Sequence, residues 1–118
     1  ELAADRTAVN EALGEGRCYL SFEALAPGRG FRFWAEGDAR AAPMGARMDP
    51  GRWTMRAVAP RPARLRLLRD GAPVHEAEGH RLEHRIVEDG AYRVEARLLD
   101  DERGRLWLVS NPVYVRAA

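Results

Sequence analysis

The chain has 118 residues, with 19 basic residues that are all arginine, 18 carboxylates, a single cysteine and a formal net charge of +1. That length supports one domain with one core, and a chain of this size buries roughly two thirds of its unfolded surface without help from metal or disulfide. A lone Cys18 excludes an internal disulfide, no apolar run is long enough for a transmembrane helix, and the even mixing of acids among the arginines gives no broad cationic footprint for nucleic acid, leaving only a local face open.

In chain order, Asp5 or Thr7 is placed to cap a short helix whose Val9, Ala12 and Leu13 share one side, with Gly14 ready to end it. Its apolar face is thin, so such a helix must dock on something larger. Cys18 to Phe22 reads as a short extended segment, and Pro27-Gly28-Arg29-Gly30 as a break. Phe31, Phe33 and Ala35 then alternate with Arg32, Trp34 and Glu36, the period of two that marks a half-buried strand.

Residues 37 to 52 hold Gly37, Pro43, Gly45, Pro50 and Gly51, which predicts a long connection crossing between sheets. Trp53 to Val58 resumes an extended pattern, and Pro60 and Pro62 are expected to separate it from a strand over Arg64 to Arg69. Asp70-Gly71 is a hairpin signal, followed by an edge strand from Pro73 to Ala77. Leu82 to Val87, Tyr92 to Leu99 and Leu106 to Val115 complete about seven strands at roughly ten-residue spacing, a pattern that predicts an all-β, immunoglobulin-like antiparallel sandwich.

Glu88-Asp89-Gly90-Ala91-Tyr92 has the spacing of a tyrosine corner, in which a strand-opening tyrosine buries its ring and returns its hydroxyl to the backbone of the preceding loop. In that frame Val94, Ala96 and Leu98 face inward, while Arg93, Glu95 and Arg97 face outward. Tyr92 is thus a structural residue.

Gly16-Arg17-Cys18-Tyr19, Gly30-Phe31-Arg32-Phe33-Trp34-Ala35, Leu67-Leu68-Arg69-Asp70-Gly71, Tyr92-Arg93-Val94-Glu95 and the ending Trp107-Leu108-Val109-Ser110-Asn111-Pro112-Val113-Tyr114-Val115 occur in an order that resembles the C-terminal region of PHP-domain proteins. These are the polymerase and histidinol phosphatase superfamily of metallohydrolases. The resemblance covers nearly the whole chain and implies that residues 1–22 are the helix and linking tail of a catalytic barrel, and 23–118 its appended β-sandwich. The family's metal-binding histidines and aspartates belong to the barrel, so the resemblance carries no catalytic, cofactor or metal residue onto this chain. A start at Glu1 rather than Met fits a segment cut from something longer.

Among the residues themselves, His80-Arg81-Leu82-Glu83-His84 matches the His-x-x-Glu-His pattern of inverted zinc proteases. That chemistry needs a helix, on which the two histidines converge on one metal. Between Gly79 and Gly90 the string reads instead as a strand, with His75 on the neighbouring hairpin arm. Asp100-Asp101-Glu102 lacks the ligand spacing of a calcium loop and reads as a solvated turn. Cys18, in an apolar run, reads as an inert thiol.

What remains is a non-enzymatic surface: alternation puts Arg64 and Arg66 beside Arg93 and Arg97, with Trp107 at the edge. The plain reading of those arginines is a solvated face paired with Glu95 and its neighbours. Two functions are open. One is a non-catalytic accessory domain whose partner is the parent's own barrel, with no nucleic acid, membrane or cofactor expected. The other is an independent binding module for carbohydrate or polyanion. A docking domain should expose an apolar strip near its amino-terminal helix, whereas a ligand module should group two tryptophans in an open concavity.

Overall fold

The computed structural model describes residues 8–10, 19–38 and 40–116. They form ten strands: β1 (Ala8–Asn10), β2 (Tyr19–Phe22), β3 (Arg32–Glu36), β4 (Ala41–Pro43), β5 (Arg47–Met48), β6 (Trp53–Arg69), β7 (Ala72–Ile86), β8 (Gly90–Leu98), β9 (Leu106–Ser110) and β10 (Val113–Val115). The main path runs β1-β2-β9-β8-β6-β3-β4, with β7 along the other side of β6 and β10 joining β8 to β5. Every pairing is antiparallel except β5 with β10. The described residues contain no helix.

The 17-residue β6 and 15-residue β7 make the spine. The first part of β6 pairs with β3, from Thr54 opposite Glu36 to Val58 opposite Arg32. Its last part pairs with β8, from Ala63 opposite Leu98 to Arg69 opposite Tyr92. Between them Pro60 and Pro62, which have no N–H to give a ladder, lie where β3 has ended and β8 has not begun. The prolines therefore do not split the strand as the sequence pattern suggests; they occupy a bulge inside it.

At that bulge, residues 59–62 of β6 face only His80 of β7, since Val58 pairs with Arg81 and Ala63 with Gly79. The surplus on one arm bends the hairpin sharply, and Gly79 on the other arm takes φ 123°, a conformation L side chains rarely adopt. The sheet curls into a half-barrel, with a β3 half (β4, β3, the start of β6, the end of β7) and a β8 half (β2, β9, β8, the end of β6, the start of β7). One apolar core draws on both: Phe33, Ala35, Met55, Ala57 and Leu82 from the first, Leu65, Leu67, Val94, Ala96 and Leu108 from the second.

The ends are pinned by hydrogen bonds. Asp70 and Gly71, at φ 51° and 88°, make the turn joining β6 to β7. The Tyr92 hydroxyl donates to the Glu88 carbonyl at 2.7 Å while its ring is buried, the geometry of a tyrosine corner. The loop after β2 folds over the core because the Tyr19 hydroxyl donates to the Gly28 carbonyl and the Trp107 indole N–H to the Ala26 carbonyl.

Several boundaries differ from the sequence reading. Ala8 to Asn10, expected within a helix, are extended and pair with β2, whose edge offers open backbone groups; the remainder of that expected helix lies outside the described residues, as does Cys18. Tyr19 and Ser21 of β2 are buried, and Tyr19 to Ser21 pair with β9. The connection over 37–52 contains the short β4 and β5. The last expected strand divides at Asn111-Pro112 into β9 and β10.

Removing the corner hydroxyl tests what it contributes. Tyr92→Phe leaves the Glu88 carbonyl without its donor and is expected to lower unfolding free energy by about 1 kcal/mol. In urea titrations this appears as an earlier midpoint at unchanged slope, and an unaltered midpoint would show that the hydroxyl contributes nothing.

Candidate interaction surfaces

Alternation along β6 and β8 brings four of the expected surface residues together on the outer face of the β8 half: Arg64 opposite Arg97 and Arg66 opposite Glu95, with Arg93 two residues further along β8. Each guanidinium has a carboxylate. Arg64 meets Glu78 at 2.8 Å and Arg66 meets Glu76 at 2.7 Å, both acids on β7 directly across from them. Glu95 lies between Arg93 and Arg97, at 3.3 and 3.6 Å. Partly solvated pairs of this kind contribute little to stability, with a median of roughly 0–1 kcal/mol, but they place a carboxylate beside each of the four arginines, Glu95 being shared by two of them.

Trp107 is not part of that face. It is fully buried, because a register shift between Ala96 and Arg97 of β8 turns β9 so that Trp107 and Leu108 both point inward. The indole N–H is satisfied by the Ala26 carbonyl at 2.8 Å, as a buried indole requires. Where strict alternation would put Trp107 outside, the outward positions of β9 are Leu106 and Val109. Val109 lies opposite Leu20 of β2, which is 41% exposed, so a short apolar strip borders the β1–β2 edge.

The outer face of the β3 half was not singled out by sequence, although the alternation Arg32-Trp34-Glu36 was visible there. In cross-strand rows Arg32, Val58 and Arg81 line up, then Trp34, Arg56 and Glu83, then Glu36, Thr54 and Arg85. Arg56 takes both carboxylates, Glu36 at Nε and Glu83 at 3.3 Å. Arg32 stacks on Trp34, 4.9 Å from the ring centre. At the end of this half a cleft of about 520 Å³ is lined by Arg52, Arg85, Thr54, Asp38 and the edge of Trp53. Trp53 itself is buried and donates to the Asp49 carbonyl. The three tryptophans therefore do not group in a concavity: two are interior, and Trp34 stands alone on the outer face.

The three histidines occupy one strand and do not converge. His80 fills the bulge, its Nδ1 donating to the Ala59 carbonyl at 2.9 Å. His75 and His84, nine residues apart on β7, meet across the gap between the two halves with ring centres 4.5 Å apart and planes 19° from parallel. Glu83 points the other way, to Arg56. Among the described residues no three metal-capable side chains come together. In the turn after β8, Asp101 accepts from the backbone and side chain of Arg105 and from the Arg103 N–H, and these bonds, the Arg105 side chain's foremost, hold its carboxyl down to about 2.

Comparisons of the chain with family models, with curated proteins and with solved structures find no match.

The histidine pair makes stability depend on pH. Burial, and secondarily the neighbouring His75, lower the pKa of His84 from its ordinary value near 6.5. The unfolded chain therefore binds a proton that the folded chain resists, so this contribution is fully present above pH 6.5 and is lost progressively as pH falls below it. Unfolding measured between pH 7.5 and 5.0 is expected to show declining stability with His84 intact. His84→Phe, which keeps a flat ring against His75, should remove that part of the decline, and an unchanged pH profile in the variant would disprove the assignment.

Proposed function

We propose that this chain is a non-catalytic accessory module, an immunoglobulin-like β-sandwich that docks on and stabilises the catalytic barrel of a PHP-type metal-dependent phosphoesterase. The observation that carries the reading is the outer face of the β8 half. Leu20, Val109 and Leu106 form an apolar strip beside the β1–β2 edge, and next to it lies a ladder in which Arg64, Arg66, Arg93 and Arg97 already hold carboxylates. Contact surfaces between domains of one chain are more polar than obligate interfaces and combine apolar patches with paired charges. Arginines neutralised within the module cost less to cover than bare ones.

The tyrosine corner at Tyr92 and the core shared by the two curled halves support the immunoglobulin-like reading of the architecture. The order of the Gly-Arg-Cys-Tyr, Phe-Arg-Phe-Trp-Ala and Ser-Asn-Pro-Val-Tyr segments supports the link to PHP proteins. In this reading the metal ligands and the reacting groups belong to the barrel, and the module supplies rigidity at its flank.

Reading the gene upstream of the Glu1 codon gives the first test, the expected result being a barrel with His and Asp metal ligands in the same frame. With that barrel expressed separately, adding this chain should raise its melting temperature, and Leu20→Asp combined with Val109→Asp should abolish the increase. An upstream frame without such a barrel, or stabilisation unaffected by the double variant, would overturn the proposal.

A further inference from the structure

The two outer faces treat their arginines differently. Along the β8 half, Arg61, Arg64, Arg66, Arg69, Arg93 and Arg97 each lie within 4.0 Å of a carboxylate. On the β3 half, Arg56 alone takes both Glu36 and Glu83, and Arg32, Arg81 and Arg85 have no carboxylate within that distance among the described residues. Both acids of this face contact Arg56, Glu36 also accepting from the Trp34 side chain, so three exposed guanidiniums are left on the same face as a half-exposed indole.

Their spacing is that of a track rather than a point. Arg81 and Arg85 are four residues apart on β7, roughly 13 Å, and Arg32 sits two strands from Arg81, roughly 10 Å. A single anion cannot bridge all three, whereas a chain of anions can. Trp34 supplies a second kind of contact: with Arg32 already stacked over it, the indole and guanidinium offer flat surfaces to a planar group. We propose that the outer face of the β3 half binds single-stranded nucleic acid, with phosphates along Arg32, Arg81 and Arg85 and a base stacked at Trp34.

Charge alone would suit any polyanion, and the half-exposed indole on β3 favours bases over carboxylate side chains. A gently curled sheet face has no projecting helix or ribbon to enter a duplex groove, while unpaired bases reach such a surface and stack on its aromatic residues. This inference is independent of docking to a barrel, because that reading uses the outer face of the β8 half.

The test is fluorescence anisotropy of a labelled twelve-residue oligothymidylate with the intact chain at 20 and 200 mM salt. Binding is expected at low salt, with a log–log salt slope of about −2 for roughly three phosphate contacts. Arg81→Gln with Arg85→Gln should weaken binding by about tenfold and flatten the slope. Trp34→Ala should weaken binding by about tenfold at unchanged slope, and Arg64→Gln with Arg66→Gln should leave it unaltered, circular dichroism verifying each variant's fold. No binding at 20 mM salt overturns the proposal. So does equal weakening by the Arg64 and Arg66 variant, or retention of heparin or polyglutamate in place of the oligonucleotide.

Discussion

The structure depends on one mismatch in a hairpin: four residues of β6, Ala59 to Pro62, stand against a single residue of β7, His80. An antiparallel pair with equal arms would continue as an unbroken twisted ribbon. The surplus forces a bend, and the bend carries both strands from one half of the sheet to the other. Two local features let this happen at low cost. Pro60 and Pro62 have no N–H to leave unsatisfied, and the His80 ring donates to the Ala59 carbonyl that the bulge would otherwise strand. Because β6 pairs with β3 before the bulge and β8 after it, one strand organises both halves and the core between them.

The same bend decides where chemistry-bearing residues end up. The inward set of β7 changes parity at the bulge: His75 and Ala77 before it, Leu82, His84 and Ile86 after it. That shift brings His75 and His84 into a stack at the open side of the core, and it turns Arg81, Glu83 and Arg85 outward beside β3. The partition of ion pairs follows. Glu76 and Glu78 meet Arg64 and Arg66 on one face, and Glu83 joins Glu36 on Arg56 on the other. One face is left with a carboxylate beside each arginine and bordered by an apolar strip, the other with Arg32, Arg81 and Arg85 unmatched on the same face as Trp34.

Much of this was legible in the sequence because alternation and turn chemistry are local. The Phe31 to Glu36 strand, the Asp70-Gly71 turn, the inward run Val94, Ala96, Leu98 and the Tyr92 corner needed only near neighbours to be read, and so did the shared face of Arg64, Arg66, Arg93 and Arg97. What escaped was non-local. Pro60 and Pro62 look like a separator unless the ends of β3 and β8 are known. Trp107 looks exposed unless the register shift in β8 is known. The stack of His75 on His84 and the sharing of two glutamates by Arg56 exist only once the hairpin has folded over. The face around Trp34 was visible as alternation in β3, but Arg81 and Arg85 fall beside it only after the parity change in β7.

The folded-over hairpin is tested most directly by solution NMR of the histidine ring protons. With ring centres 4.5 Å apart, nuclear Overhauser cross-peaks between His75 and His84 are expected, together with backbone cross-peaks that skip residues 59–62 opposite His80. Absence of the ring cross-peaks, with an unbroken ladder of backbone contacts along the whole of β6 and β7, would contradict the account.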